Sequence, residues 1–426
     1  MRFDFKGFTM FLWRKWCIIL TLVFVTELAV ESLENGLART PPMGWITWTR
    51  FMCNQCALGR YENCLTQSLI SEMAERMMYD GYKDAGYEYL IIDDCWSFYY
   101  RSQGKLVGDP RRFPRGMKFL ADEVHYRGLK FGIYTGIGTQ TCAGFPGSFG
   151  YYKTDAETFA EWGVDYIKVD GCSADPKEMD NLYTELGQAI RSTRRDMVYA
   201  CEWPLYQQKA GIMPNYKNIS KTCNTWRNYD DIGYSWDSIY GAVEYEAANQ
   251  DILAEVSGPG AWTDPDAIVV GNYGLTIEQQ RLQMAFWAIM AAPMIMSNDL
   301  RSIGKEFKEL LLNKYIIAVN QDPLGMMGKR LSKTNNTDVW TRWVSPKLPD
   351  GRMSMAVVVH NANAFGGPTR VVLGLSDLGL DSDAGYEVTD LVHDNTFVGV
   401  YYPHQSIVVT VPPLDLFFFK ATVNQA

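Results

Sequence analysis

The chain has 426 residues, enough for about two or three domains with ample core. Hydrophobic residues at 47% and charged residues at 21% exclude a disordered chain. A formal net charge of −9 argues against nucleic acid or an anionic membrane surface as partner, since both call for basic patches.

At the N-terminus, Arg2, Lys6, Arg14 and Lys15 accompany the apolar run Trp16 to Val25 and small residues such as Ala29. That order predicts a secretory signal peptide over residues 1–30, with no membrane span after its cleavage; an uncleaved anchor is the alternative. Cysteine use agrees with a secretory route. Setting aside Cys17, the even set Cys53, Cys56, Cys64, Cys95, Cys142, Cys172, Cys201 and Cys223 points to disulfides. A zinc site at Cys53 and Cys56 competes poorly, because no second pair or histidine stands at ligand spacing; neither a metal nor a cofactor is expected. Sequons at Asn218 and Asn335 are candidate glycosylation sites.

From residue 41, short strand-like runs alternate with amphipathic segments. Eight runs are expected as strands: Met43 to Trp48, Tyr89 to Asp94, Lys130 to Tyr134, Tyr166 to Asp170, Val198 to Trp203, Cys223 to Arg227, Gly260 to Trp262, and Met294 to Ser297. Between them, Leu69 to Lys83, Ala156 to Trp162, Met179 to Thr193 and Ile277 to Ile289 carry apolar residues every three or four positions, the helical period. Strand and helix alternating eight times predict an α/β fold, a (β/α)8 TIM barrel over residues 31–325. An open doubly wound sheet is the alternative; Met43-Gly44-Trp45 stands where its Gly-rich phosphate loop belongs.

Polar groups gather at the ends of these strands: Asp93 and Asp94, Tyr134, Lys168 and Asp170, Glu202 and Trp203, Arg227 and Asp231, then Asp264 and Asp266. In barrels that end carries the chemistry. On Tyr166 to Asp170, strand alternation puts Lys168 and Asp170 on one face and Ile167 and Val169 on the other. A buried structural ion pair is the competing explanation for that stretch.

After about residue 326 the helical period stops. Seven short runs, Asp338 to Val344, Ser354 to Val359, Thr369 to Leu373, Tyr386 to Leu391, Phe397 to Tyr401, Ser406 to Val411 and Asp415 to Phe419, predict an antiparallel β-sandwich over residues 326–426. Packing and oligomerisation are its expected roles, with carbohydrate binding as the lesser alternative. Neighbouring barrel loops meet, so Cys53–Cys95, Cys142–Cys172 and Cys201–Cys223 are expected bridges, leaving Cys56–Cys64 as a local one.

Two carboxylates, further acids, a lysine, an arginine and tryptophans suit glycoside hydrolysis, in which one carboxylate attacks or activates water and a protonated second one serves the leaving oxygen. Asp170 suits the nucleophile, with Lys168 favouring its ionised form. Asp231 suits the acid, although spacing alone does not separate it from adjacent Asp230; neighbouring residues usually diverge, so one of the two is expected to face the pocket. Trp48, Trp96 or Trp203 can cover an apolar sugar face.

The motifs Gly36 to Trp45 (GLARTPPMGW), Ile92-Asp93-Asp94-Cys95-Trp96, Thr141 to Ser148 (TCAGFPGS), Lys168-Val169-Asp170-Gly171-Cys172 and Trp226-Arg227-Asn228 resemble those of the animal lysosomal α-galactosidases and α-N-acetylgalactosaminidases, glycoside hydrolase family 27. The resemblance implies an exo-acting, retaining double displacement on terminal α-linked galactose-type sugars, with Asp170 as nucleophile and Asp231, rather than Asp230, as acid/base. It places Trp48, Asp93, Asp94, Tyr134, Lys168 and Arg227 on sugar-contacting positions, together with the rim near Cys142 and Cys172 and, beside Ala267, Asp266. It further implies a homodimer that needs no metal, in the lysosome or secreted.

Substrate choice in that family lies in the loop after the fifth strand. Here it runs Cys201-Glu202-Trp203-Pro204-Leu205-Tyr206 and resembles the α-galactosidase form; the N-acetylgalactosaminidase form has Ser and Ala at the positions of Glu202 and Leu205. A carboxylate and a bulky leucine disfavour an acetamido group. Ala267, where animal relatives commonly carry methionine, and the segment Gln207 to Met213 depart from the pattern. The alternatives are an α-N-acetylgalactosaminidase or dual-specificity enzyme, and an inactive sugar-binding protein.

Overall fold

The computed structural model describes residues 33–53, 64–334, 336–393 and 395–425. The expected signal peptide, the Cys56–Cys64 bridge and the Asn335 sequon fall wholly or partly outside the described residues.

Eight short parallel strands form the first sheet: β1 Met43–Ile46, β2 Tyr89–Ile92, β3 Lys130–Gly136, β4 Tyr166–Asp170, β5 Val198–Cys201, β6 Thr225–Arg227, β7 Trp262–Asp264 and β8 Met294–Met296. Their order is β7-β6-β5-β4-β3-β2-β1-β8, and a parallel bridge between Ile268 and Met296 joins the end after β7 to β8. This is the expected barrel. β4 shows why the sequence folds so: Tyr166 joins Ile91, Val198 and Ala200 inside it, while Ile167 and Val169 pack outward against the helices. The helix Ile277–Ile289 begins with a capping box formed by Thr276 and Gln279, which satisfies its first N–H groups.

The C-terminal strands are β9 Lys329–Thr334, β10 Thr337–Lys347, β11 Met353–Asn361, β12 Thr369–Gly374, β13 Tyr386–Asp390, β14 Thr396–Tyr401, β15 Ser406–Val411 and β16 Leu416–Val423. Six make one antiparallel sheet, in the order β14-β13-β16-β11-β10-β9, and β12 pairs with β15. A core including Val357, Val359, Leu373, Ile407 and Phe419 lies between the two sheets. The sequence suggested seven strands here, and β9 is the eighth. It lacks an apolar face because it is an edge strand, with Arg330 and Lys333 paired to Glu244 on a barrel helix.

The other face of the large sheet packs against the barrel. Trp340, Val358 and Phe418 belong to the barrel's outer core. Arg342, buried at the same junction, donates to the carbonyls of Ala288 and Val319 at 2.7 and 2.6 Å.

Candidate active site

Asp170 closes β4 at the C-terminal mouth of the barrel. Its Oδ2 accepts from the Tyr134 hydroxyl at 2.8 Å, and its Oδ1 accepts from the Tyr206 hydroxyl at 2.6 Å and the Gly171 N–H at 2.8 Å. Tyr134 arrives from β3 in register with Lys168; Tyr206 comes from the helix Trp203–Lys209 that follows β5. Gly171 permits this approach, because a Cβ there would lie 2.3 Å from the Tyr206 ring.

Lys168 shares the face, but its ammonium turns to Asp93 Oδ2 at 2.8 Å and Glu202 Oε1 at 3.1 Å. Tyrosine hydroxyls thus hold the Asp170 carboxylate by hydrogen bonds, while the lysine reaches across to acids after β2 and β5. Arg227 extends the network, with Nη1 at 3.2 Å from Glu202 and 3.0 Å from Asp266. Its Nη2 donates to Asp231 Oδ1 at 2.9 Å. The other Asp231 oxygen accepts from Trp48 Nε1 at 3.0 Å, so both oxygens of this half-exposed carboxylate are held.

These contacts set the charges. Burial pushes Asp93 up to about 6, against the pull of Lys168. Burial and then the Asp170 charge push Glu202 up to about 7, opposed by Lys168 and Arg227. For Asp231 partial burial acts upward, but Arg227, Lys168 and the hydrogen bonds from Arg227 and Trp48 outweigh it and hold the carboxyl below its ordinary range. The arginine four residues before Asp231 therefore favours its ionised form in the free protein and opposes the protonation that a general acid requires.

A cavity of about 410 Å³ opens over these groups. Of the expected site residues, Trp48, Asp93, Tyr134, Cys142, Lys168, Asp170, Cys172, Glu202, Leu205, Tyr206 and Asp231 line it. Arg227 and Asp266 sit beneath, beside a small interior void that Ala267 also lines. Asp94 is buried instead, accepting from the backbone N–H groups of Cys95 and Ala143 and so tying two mouth loops together. Trp203 is stacked on Tyr183 in the core and Trp96 meets Trp162 edge-on, which leaves Trp48 as the lining tryptophan of the three considered.

The bridges Cys53–Cys95, Cys142–Cys172 and Cys201–Cys223 are formed. Cys142 and Cys172 bring two sulfurs close to Asp170, but both are committed to their disulfide and offer no thiolate to a metal. Asn218, the sequon among the described residues, is half-buried on the helix Tyr216–Thr222.

Two lining residues were not anticipated. Asp230 and Lys209 both face the cavity and pair with each other at its rim. The expectation that adjacent Asp230 and Asp231 diverge, with one facing the cavity, is corrected. The loop after β6 has no strand pleat to send them apart. Lys209 falls in the segment already noted as departing from the family pattern.

Barrel and site together have the layout of a two-carboxylate glycoside hydrolase. The family model described as Alpha galactosidase A matches residues 40–322, and one described as Alpha galactosidase A C-terminal beta sandwich domain matches residues 325–414. The chain belongs to the alpha-galactosidase A family. It is 50% identical over 356 residues to human alpha-galactosidase A, covering 82% of this chain and 80% of that protein. It is 46% identical over 373 residues to the alpha-N-acetylgalactosaminidase of Gallus gallus, covering 86% and 90%. The crystal structure of alpha-galactosidase I from Mortierella vinacea superimposes with a TM-score of 0.79 at 29% identity, over 91% of this chain and 98% of that one.

Proposed function

We propose that this chain is an exo-acting retaining α-galactosidase that removes terminal α-linked galactose from glycolipids, glycoproteins or oligosaccharides. The observation that carries the proposal is a single cavity over two separately held carboxylates: Asp170 between two tyrosine hydroxyls, and Asp231 between Arg227 and Trp48. Asp170 attacks the anomeric carbon as Asp231 gives its proton to the departing oxygen. Water, losing a proton to Asp231, then cleaves the ester and releases the sugar. A neutral sugar seated against half-exposed Asp231 excludes water and raises its affinity for the proton that the first step requires. Protonation of a carboxyl favours an acidic working pH, in keeping with a lysosomal or secreted enzyme.

Relatives of both substrate types are nearly equally similar, so identity does not choose the sugar. Glu202 and Leu205 do. The carboxylate is buried between Lys168 and Arg227, and Leu205 fills the wall beside it. This supports galactose over its 2-acetamido analogue, for which such a wall leaves neither space nor a matching partner. The remaining sugar contacts are assigned to Asp93, Tyr134, Lys168 and Tyr206 around the cavity, with Arg227 and Asp266 supporting from below. Cleavage of the signal peptide, glycosylation at the two sequons and homodimer formation complete the proposal, the last to be checked by sedimentation.

Paired chromogenic α-galactoside and α-N-acetylgalactosaminide, assayed between pH 4 and 7, test the assignment. The galactoside is expected to be preferred by about 100-fold or more. Preference for the acetamido sugar overturns the substrate, and turnover of neither by folded protein overturns the activity.

A further inference from the structure

The cavity has a buried floor and an open rim. On the floor, the side chains of Asp93, Glu202 and Lys168 are 2%, 3% and 11% exposed. At the rim, those of Asp231, Lys209 and Asp230 are 51%, 55% and 60% exposed. A terminal sugar that reaches Asp170 occupies the floor, so the group attached to it emerges over Asp231. Lys209 and Asp230 line the same cavity as Asp231 at this exposed rim.

We infer that the Lys209–Asp230 pair is a specificity element for the leaving group and selects a second sugar ring over an alkyl or lipid chain. This rests on the α-galactosidase function proposed above. The pair offers ammonium N–H donors beside a carboxylate acceptor, the complement of neighbouring sugar hydroxyls, each of which both donates and accepts. An alkyl chain offers neither and strips water from both charges. Because the pair is exposed, its own attraction contributes little stability, and exchanging part of it for hydroxyl contacts costs little. Its two members come from different mouth elements, the end of the helix after β5 and the loop after β6. Both elements also carry site groups, Tyr206 and Asp231, so a leaving group held by the pair is held against the acid.

The test compares kcat/KM for an α-galactosyl hexose disaccharide with that for octyl α-galactoside, using the full chain as wild type, Lys209→Met, Asp230→Asn and the conservative Lys209→Arg. Loss of one charge-assisted hydrogen bond predicts that the disaccharide-to-octyl ratio falls about tenfold in Lys209→Met and Asp230→Asn, through the KM for the disaccharide. Lys209→Arg retains most of the ratio. Thermal melting near the wild-type temperature establishes that the variants fold, as expected for exposed positions. An unchanged ratio in folded variants, or an equal fall for both substrates, overturns the inference while leaving the α-galactosidase assignment intact. Failure of wild type to cleave either substrate overturns both.

Discussion

Glu246 connects burial to a measurable pH dependence. It is fully buried on the helix Trp236–Ala248, and its partners are neutral: Asn228 Nδ2 at 2.8 Å and the Thr263 hydroxyl at 2.9 and 3.0 Å. Burial raises its carboxyl from 4.5 to about 7, although both hydrogen-bonding neighbours oppose the rise. Between those pH values the folded protein binds more protons than the unfolded chain. The stabilising contribution is therefore complete below about pH 4.5 and is lost as pH rises through 7. At about 1.4 kcal/mol per pH unit, the loss is on the order of 3 kcal/mol. Glu246→Gln preserves size and an acceptor but cannot ionise. The variant should melt close to wild type at pH 4.5 and about 6 °C above it at pH 7.5, taking about 2 °C per kcal/mol for a chain of this size. Melting both proteins by near-ultraviolet circular dichroism from pH 4.5 to 8 provides the check. Parallel curves for the two proteins would refute the reasoning.

Three further outcomes are expected. Glu202→Ser with Leu205→Ala should shift preference toward the acetamido sugar, lowering galactoside kcat/KM by about 10- to 100-fold as the sugar loses a buried hydrogen-bond partner; an unchanged ratio of the paired chromogenic substrates counts against the role given to this wall. Gly171→Ala drives a Cβ into the Tyr206 ring and displaces the hydroxyl from Asp170, so kcat/KM should fall by about tenfold or more, with Tyr206→Phe falling similarly; wild-type kinetics in the alanine variant would contradict that placement. Because Arg227 holds Asp231 ionised in the free protein while bound sugar covers it, the alkaline limb of kcat/KM should lie at lower pH than that of kcat. Coincident limbs in the two pH profiles contradict the linkage.

The barrel is legible in the sequence because each strand carries its own pattern. Tyr166–Asp170 and the helix Ile277–Ile289 agree with expectation at both ends. Elsewhere the boundaries move where chemistry interrupts the pattern: β7 runs through Asp264 rather than ending at Trp262, and Trp48 begins a short helix instead of ending β1. Strand alternation correctly gave Lys168 and Asp170 a shared face, but a shared face does not fix a partner. The lysine stem is long enough to bypass Asp170 for Asp93 and Glu202. The Lys209–Asp230 contact joins loops after different strands and has no local signal. β9 has no strand signal for a related reason, since its partners are supplied by a barrel helix and its own sequence has no apolar alternation.

The central claim is that Asp170 is the nucleophile of an α-galactosidase. Turnover of a chromogenic α-galactoside from pH 4 to 7 by wild type and Asp170→Asn, with both folds checked by melting, tests it most directly. Active wild type and a loss of about a thousandfold or more in kcat for the asparagine variant are expected. Folded Asp170→Asn retaining turnover within about tenfold of wild type would contradict it, because an amide cannot take the carboxylate's place in double displacement.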